Sequence, residues 1–252
     1  MTESEIHRIA TWATFPIGLF TILALVLVSA PYGRHARGGW GRSIPSRVGW
    51  IVMEAPACLS FLAIYLLGEH RAERAPLALL ALWQLHYFHR AFVFPFRMRV
   101  TGKMMPASVA AMAFFYNHWN AYINARWLSQ LGDYPSSWLT DPRFLLGTAV
   151  FLAGFGINLW ADTVLLHLRR PGETGYRIPR GGLYELIACP NYFGEILEWT
   201  GFAIAAWSLP ALAFAFFTAS NVGPRAFSNR DWYRSKFPDY PASKKALIPY
   251  LW

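Results

Sequence analysis

Ionisable and amide side chains lie inside several long apolar stretches of this chain. The clearest cases are Glu54, a His-Tyr-Phe-His-Arg run at 86–90, Asn158 and Asp162. A charged side chain at the centre of a bilayer costs roughly 2.5–3.5 kcal/mol on insertion scales, so such residues are rare and usually functional. We therefore predict that the chain holds or transforms a polar group inside a membrane.

Two of these residues suit the polarisation of a carbonyl oxygen. Glu54 has no cation within one helical turn on its C-terminal side, so a buried carboxyl there is expected to be neutral and able to donate a hydrogen bond. Tyr87 supplies a phenol, and a phenol beside a carboxylic acid is a good donor to a carbonyl oxygen. The pair indicates chemistry on a carbonyl compound.

The neighbours of Tyr87 have less specific interpretations. His86 and His89, taken singly, favour a structural role over a catalytic one. His86 and Arg90 share a helix face at i, i+4. We expect Arg90 either to serve a site or to pair with a buried carboxylate such as Asp162 or Glu195.

Polar residues in three later stretches follow helical spacing. A shared helix face places such residues in one stripe. The stripes are Asn158, Asp162 and Arg169; Asn191, Glu195 and Glu198; and Arg225, Asn229 and Tyr233. We favour one wet, charged ligand cavity lined by all three. The alternative is a set of interhelical hydrogen bonds that hold the bundle together, worth about 0.6 kcal/mol each.

The elements that must position these residues are apolar helices. Hydrophobic residues make up 55% of the 252 residues and charged residues 15%. A membrane-spanning helix needs about 20 apolar residues. The sequence predicts an all-α polytopic bundle in a single domain, 1–252, with seven transmembrane helices. Their expected bounds are 9–30, 48–67, 76–96, 108–128, 144–168, 191–208 and 210–228, with a tight turn at Ser208-Leu209-Pro210.

Basic residues are concentrated in segments 31–47, 97–107, 169–190 and beyond 222. The positive-inside rule then predicts an N-terminus outside and a C-terminus in the cytoplasm. This loop bias explains the net charge of +9 without a nucleic-acid partner. Some of these arginines are also candidates to bind an anionic ligand. The acidic start of the chain does not resemble a cleaved signal peptide.

The sequence lacks several motifs for soluble cofactor and metal chemistry. It has no G-x-G-x-x-G fingerprint, no phosphate-binding P-loop and no H-E-x-x-H zinc motif. Two isolated cysteines, Cys58 and Cys189, predict neither a metal site nor a disulfide framework. The four lysines lie outside the expected spans, which excludes an intramembrane Schiff base.

Long sequence runs carry a family resemblance. They are WIVMEAP at 50–56, LHYFHRAFVFP at 85–95, TDPRFLLG at 140–147, GINLWAD at 156–162, the run from LRRPGETGY to LAFAFFT at 168–218 and DYPASKKALIPYLW at 239–252. On these motifs the chain resembles the steroid 5α-reductase family, the 3-oxo-5α-steroid 4-dehydrogenases. The resemblance runs from about Tyr32 to the end and is strongest over 140–252.

The resemblance implies a seven-helix membrane reductase that uses NADPH to reduce the C4–C5 double bond of a 3-oxo-Δ4 steroid. It implies Glu54 and Tyr87 as catalytic residues and Trp50 and Met53 as residues near the steroid. Positions that match the family's cofactor contacts are Tyr32, Asn158, Asp162, Arg169, Tyr176, Asn191, Glu195, Arg225 and Tyr233.

Three positions depart from the pattern of the vertebrate enzymes. Met53 stands where they have a glutamine, and Asn229, also expected at the cofactor, stands where they have a histidine. Arg99 is the nearest match to a basic cofactor loop that otherwise aligns poorly. The base that meets the 2′-phosphate is therefore left open.

The resemblance further implies hydride transfer to steroid C5, followed by protonation of C4. Two other functions are kept as alternatives: an intramembrane methyltransferase of related architecture and a non-enzymatic sterol sensor or transporter. We expect a monomer surrounded by membrane lipid, in a bacterial inner membrane or, in a eukaryote, in the endoplasmic reticulum.

Overall fold

The computed structural model describes residues 1–98, 102–168 and 175–251. The chain is mostly helical, as predicted. Its helices are α1 (Glu3–Leu27), α2 (Ser46–Leu66), α3 (Arg74–Phe88), α4 (Phe94–Arg97), α5 (Ala107–Arg126), α6 (Pro142–His167), α7 (Pro190–Ala206) and α8 (Leu209–Lys236). Because α3 and α4 are continuous through a wide turn, the described residues form seven long helical segments.

That wide turn is a π-helical turn over His89–Val93. Pro95 follows it and lacks an N–H group, so a regular helix could not make its hydrogen bond to Ala91, and the ring would crowd the carbonyl of that residue. A wider turn accommodates the proline and changes the direction in which His89 and Arg90 project. A second π-helical turn, Trp127–Leu131, extends α5.

Helix bounds match the predicted spans closely, with larger differences at two ends. α1 begins at Glu3 rather than near residue 9, because Thr2 and Glu5 form a reciprocal capping box. α8 continues to Lys236, eight residues beyond the predicted end. The predicted turn between the last two spans is confirmed, with Trp207 in a left-handed conformation (φ 44°) and Ser208 capping α8.

The structure also contains a two-stranded β-ribbon, which the all-α prediction did not include. β1 (Ser43–Pro45) and β2 (Met104–Pro106) pair antiparallel, with Ile44 opposite Met105. Each strand leads directly into a helix, α2 or α5, and these two helices pack along each other. The Met105 side chain fills the space over Gly49, so the ribbon fixes the start of α2.

α6 and α7 approach closely along a seam of four glycines. Gly147 and Gly154 lie seven residues apart on α6, and Gly194 and Gly201 lie seven residues apart on α7. A Cβ atom at any of them would overlap backbone atoms of the facing helix. Small residues allow helix backbones to come this close in membrane proteins. The seam sets the two polar stripes of α6 and α7 side by side.

Three helices of the described chain are long and apolar enough to cross a membrane: α1, α2 and α6. They support a membrane protein. The number of seven spans, the orientation, the oligomeric state and the particular membrane stay predictions. The loop after α1, the start of α7 and the end of α8 do meet at one end of the bundle, as an alternating up-and-down arrangement requires.

Candidate active site

Tyr87 lies inside an aromatic cluster formed by α3, α7 and α8. Its ring centroid is 5.0 Å from Trp83, 5.4 Å from Trp199 and 6.4 Å from Phe214. These contacts fix the ring, since a tyrosine has few rotatable bonds. Tyr87 is 4% exposed, and its hydroxyl has no hydrogen-bond partner among the described residues. It is therefore a positioned donor available to a ligand.

Glu54 reaches the same interior from α2. The Asn117 side chain of α5 lies beside its carboxyl and donates to the Met53 carbonyl at 2.6 Å. The charges of Arg90 and Glu195 act on Glu54, and the charge of Glu54 acts on Tyr87. Glu54 of α2 is therefore half-buried and within electrostatic reach of the buried Tyr87 of α3.

Arg90 connects this pair with the polar stripe of α6. Its Nη1 donates to Asp162 Oδ2 at 2.9 Å. Its guanidinium also lies 4.7 Å from the ring centroids of both Trp50 and Phe94. The prediction that Arg90 pairs with a buried carboxylate is confirmed, with Asp162 as the partner.

The stripes of α6 and α7 are joined by amide hydrogen bonds. Asn191 Nδ2 donates to Asp162 Oδ1 at 3.0 Å, and Asn158 Nδ2 donates to the Asn191 carbonyl at 2.9 Å. Part of the stripes therefore holds the helices together, as the structural alternative supposed. Glu195, half-buried on the same face of α7, makes no hydrogen bond or ion pair within the described residues and lies near both Arg90 and Arg225.

A basic pocket lies where the third stripe, on α8, meets the loop after α1. It holds about 130 Å³ and is lined from the loop by Ala30, Tyr32, Gly33, Arg34 and His35, and from the helices and the segment before α7 by Leu165, Ala188, Cys189, Asn191, Tyr192, Arg225, Ser228, Asn229 and Tyr233. Two arginines and a histidine face it, and the described lining contains no carboxylate. Such a pocket suits an anion.

The two arginines are held by aromatic rings. Arg225 donates to the Tyr192 hydroxyl at 3.1 Å, and its guanidinium lies 5.0 Å from the Tyr32 ring. Arg34 lies 4.5 Å from the Tyr233 ring, and its Nη1 is buried without a hydrogen-bond partner among the described residues. An unsatisfied buried guanidinium nitrogen is costly and indicates a missing acceptor.

His35 adds a titratable group to this pocket. Its Nε2 lies 3.1 Å from Asn229 Oδ1, and Asn229 Nδ2 points toward Cys189 Sγ at 3.5 Å. Burial lowers the pKa of His35, and the neighbouring Arg34 and Arg225 lower it further, against the effect of the Asn229 bond. The lowered pKa favours the neutral imidazole near pH 7.

Three other predicted residues lie at different distances from the site. Tyr176 lies at the rim, 39% exposed, with its ring 4.7 Å from Trp232. Trp50 lies at the site under Arg90, with a buried Nε1 that has no partner among the described residues. Met53 is buried in a small cluster with Met105 and Ala110.

Two predicted residues, Arg99 and Arg169, lie outside the described residues.

Sequence reasoning assigned no individual site role to several residues that the structure places here. Arg34 and His35 follow Tyr32 in the basic loop before α2. The concentration of basic residues in that loop was the one sequence feature that could have indicated their role. Tyr192 lies one position after Asn191 and was hidden by its apolar neighbours. The pairing of His86 with Glu198 had no signal, because the two residues are 112 positions apart.

The fold and the site together define a class of protein. It is a helical protein of membrane type, with a carboxyl and a phenol within electrostatic reach of each other and a basic pocket at one end of the bundle. A family model for 3-oxo-5-alpha-steroid 4-dehydrogenase matches residues 103–252.

Curated relatives match nearly the whole chain. The 3-oxo-5-alpha-steroid 4-dehydrogenase 1 of Bos taurus is 46% identical over 239 residues, covering 93% of each chain. The human protein of that name is 44% identical over 224 residues, covering 87% of this chain and 85% of its own. The steroid 5-alpha-reductase DET2 of Arabidopsis thaliana is 40% identical over 239 residues, covering 92% and 91%.

The chain belongs to the 3-oxo-5α-steroid 4-dehydrogenase family, which confirms the predicted resemblance. Its relatives are oxidoreductases that act on CH–CH groups. These matches do not favour the methyltransferase or the sterol sensor.

Proposed function

We propose that this protein reduces the C4–C5 double bond of 3-oxo-Δ4 steroids with NADPH as the hydride donor. The observation that carries the proposal is the Tyr87 hydroxyl, fixed among aromatic rings, without a partner among the described residues and within electrostatic reach of the Glu54 carboxyl. A donor pair of this kind fits a ketone oxygen. Family membership supplies the substrate class.

The residues around the basic pocket fit a phosphorylated dinucleotide. Arg225 and Arg34 face a pocket that has no carboxylate in its described lining, and Arg34 Nη1 lacks an acceptor there. We assign these two arginines to the phosphate groups. Asn158, Asp162 and Asn191 would hold the remaining polar groups, since their amide and carboxylate network borders the same pocket.

Further cofactor contacts are proposed for the other predicted positions, Tyr32, Glu195, Asn229, Tyr233 and Tyr176, together with Arg99 and Arg169. When bound, the reduced nicotinamide would supply a hydride. The protein's contribution is to place and orient it. A hydride donor held near Glu195 would lie close to Glu54 and Tyr87, because the charge of Glu195 acts on both of these groups.

Glu54 and Tyr87 would act on the 3-oxo group. Their hydrogen bonds draw electron density from the conjugated double bond and make C5 electrophilic. Addition of hydride at C5 places negative charge on the 3-oxygen, and fixed donors stabilise that charge more strongly than the neutral ketone. Protonation of C4 then completes the saturated ketone.

The surroundings of the pair suit the apolar body of a steroid. Trp50 and Phe94 pack beneath Arg90, with their ring centroids 5.3 Å apart. We propose that the steroid enters from the lipid side among the early helices, with Trp50 beside its ring system. Met53 stays a proposed substrate contact. Because its side chain packs in a cluster with Met105, the contact would be made by its backbone.

The direct test uses purified protein in detergent with testosterone and NADPH. We expect loss of absorbance at the band of the reduced cofactor and formation of 5α-dihydrotestosterone, identified by chromatography against a standard. NADH in place of NADPH should react more slowly. Binding of the steroid without NADPH consumption would overturn the proposal, as would a methylated product formed from S-adenosylmethionine.

A further inference from the structure

The basic pocket is lined by two arginines, Arg34 and Arg225, that stand in different surroundings. The difference matters because the two natural nicotinamide cofactors differ in a single group. NADPH carries a phosphate on the 2′-oxygen of its adenosine ribose, and NADH carries a hydroxyl there. A phosphate monoester adds about 1.5–2 negative charges at pH 7, so a base at the adenosine end of the site can distinguish the two cofactors.

Helix α8 orders these groups from the interior to the end of the bundle. Near its start, Phe214 packs against Tyr87, with ring centroids 6.4 Å apart. Arg225 follows about 16 Å further along the helix and Tyr233 about 12 Å beyond Arg225, at 1.5 Å per residue. The Arg34 guanidinium lies 4.5 Å from the Tyr233 ring. Arg34 therefore lies farther from Tyr87 along α8 than the position at which Arg225 leaves the helix.

The contacts of Arg225 connect it with the interior. Its Nη2 donates to the Tyr192 hydroxyl at 3.1 Å, and its guanidinium lies 5.0 Å from the Tyr32 ring. The charge of Glu195 acts on Arg225, and the same charge acts on Tyr87. Arg225 is thus the arginine of the pocket that is linked electrostatically to the candidate active site through Glu195.

The contacts of Arg34 connect it with the rim of the pocket. Besides the Tyr233 ring, its guanidinium lies 5.1 Å from the Trp232 ring and 5.9 Å from the Tyr176 ring. Tyr176 is exposed and packs edge to face on Trp232, so this group of rings reaches the surface. Exposed aromatic rings suit an adenine, because a base can stack on them.

Arg34 also offers a donor at this rim. Its Nη1 is buried and has no hydrogen-bond partner among the described residues. The three rings hold the guanidinium in place, and a guanidinium presents its N–H groups in a planar geometry that matches phosphate oxygens. The described lining contains no carboxylate that would compete for it. A phosphate oxygen would supply the acceptor that Nη1 lacks and remove the cost of burying it.

A dinucleotide cofactor carries its groups in a fixed order, which is nicotinamide, pyrophosphate and then adenosine. With the nicotinamide on the side of Tyr87, the adenosine ribose lies farthest along α8, and Arg225 and Arg34 occur in the corresponding order. We propose, on the basis of the function proposed above, that Arg34 binds the 2′-phosphate and selects NADPH over NADH. Arg225 binds the pyrophosphate, which both cofactors share.

The first test measures binding without turnover. Purified protein in detergent is titrated calorimetrically with NADP⁺ and with NAD⁺ in the absence of steroid. Wild type should bind NADP⁺ at least about tenfold more tightly, the usual effect of a hydrogen bond to a charged group. Arg34→Gln keeps a planar polar group beside Tyr233 and removes the charge. It should lose this preference, with affinity for NAD⁺ changed less than about twofold.

The second test measures the KM of each reduced cofactor with testosterone as substrate. Arg34→Gln should raise the KM for NADPH roughly ten- to a hundredfold and leave the KM for NADH nearly unchanged. Arg225→Ala should raise both KM values by a similar factor. The matched control is Arg37→Ala, since Arg37 is an exposed arginine of the same loop that donates to the Ser29 carbonyl at 2.6 Å. It should behave as wild type.

The results distinguish this proposal from the function on which it rests. If wild type reduces testosterone with neither cofactor, the proposed function fails, and the binding test still decides the role of Arg34. Equal affinities of wild type for NADP⁺ and NAD⁺, or a wild-type preference in Arg34→Gln, would overturn the assignment of Arg34. An equal loss in Arg37→Ala would attribute the preference to the general charge of the loop and would also overturn it. If Arg34→Gln does not fold, Arg225→Ala decides alone, because a loss confined to NADP⁺ would place the 2′-phosphate at Arg225.

Discussion

Between α6 and α7, several polar groups of the stripes are satisfied by one another. Asp162 accepts from both Arg90 and Asn191, and Asn158 bonds the backbone of Asn191. At the α2–α3 end, the Tyr87 hydroxyl has no partner among the described residues and is enclosed by aromatic rings. Under the proposed function, the first region would bind the charged cofactor, and the second would offer the Tyr87 hydroxyl to a single oxygen atom.

The difference separates recognition from chemistry. A dinucleotide carries several charges and polar groups, so its site needs many contacts, and each can be lost at moderate cost. A ketone presents one oxygen, so one or two donors in a low-dielectric setting carry the whole effect on the barrier. Changes at the α2–α3 end should therefore alter kcat, and changes at the α6–α8 end should alter cofactor affinity.

The largest effect is expected for Tyr87→Phe, which removes the hydroxyl and keeps the ring in its aromatic cluster. We predict that kcat falls about 100-fold or more while NADPH affinity stays within twofold. The matched control is Tyr65→Phe, a fully buried tyrosine whose hydroxyl bonds the Arg71 carbonyl at 3.1 Å at the other end of α2. Full turnover by Tyr87→Phe would refute its catalytic role.

The next effect concerns Arg225→Ala. Hydrogen bonds to charged groups are worth about 1.5–3 kcal/mol, so the KM for NADPH should rise roughly ten- to a hundredfold, with a smaller change in kcat at saturation. Arg230→Ala is the control, because Arg230 lies on the same helix but pairs with Asp231 at 3.0 Å. Equal losses in both variants would contradict the assignment of Arg225 to the phosphates.

A third variant, Gly154→Ala, tests whether the α6–α7 seam sets the polar network. Its Cβ would overlap the backbone at Gly194 and Glu198, and overpacking of this kind typically costs about 1–3 kcal/mol. We expect a lower thermal midpoint in detergent and weaker cofactor binding. Gly156→Ala is the control on the same helix, since its Cβ would meet open space. Identical midpoints for the two variants would show that the seam tolerates separation.

The smallest expected effect is a pH dependence of cofactor binding. The pKa of His35 lies below its ordinary value because of burial and then because of Arg34 and Arg225. A bound phosphate offsets those arginines and raises the pKa, so binding takes up a proton. Affinity for NADPH should therefore increase a few-fold as the pH falls from about 8 to 6.

The control for this dependence is a pair of variants. His35→Gln should flatten the pH dependence, whereas His70→Gln should leave it unchanged, because His70 lies in the loop between α2 and α3, paired with Glu73. Isothermal titration at several pH values measures both. An unchanged slope in His35→Gln would assign the effect to another group.

Much of this site was predictable from spacing alone. Asn158 and Asp162 at i, i+4 predicted one face of a helix, and their bonds to Asn191 confirm that the stripes of α6 and α7 meet. The helix bounds were similarly accessible, since apolar length and the break before Pro210 mark them. The capping box at Thr2 was missed because the start of α1 was predicted from the apolar run near residue 9 and not from the capping residues.

Other features depended on contacts between distant segments. The ribbon pairs Ile44 with Met105, and such short strands have no recognisable period of their own. Arg34 acquires its role from Tyr233, near the far end of the chain. His86 was interpreted as structural, because nothing in its own helix indicates that Glu198 lies 2.8 Å away.

The sequence by itself determined the family, the helical apolar bundle and the residues that carry charge inside it, because these follow from residue type and from periodicity along one helix. The tertiary structure decided which charges meet. Asp162 rather than Glu195 pairs with Arg90, and within the described part of the chain the hydroxyl of Tyr87, unlike that of Tyr65, has no hydrogen-bond partner. The partner of Arg90 depends on where the π-helical turn directs its side chain and on which helix faces it, and the spacing of a single helix does not determine either.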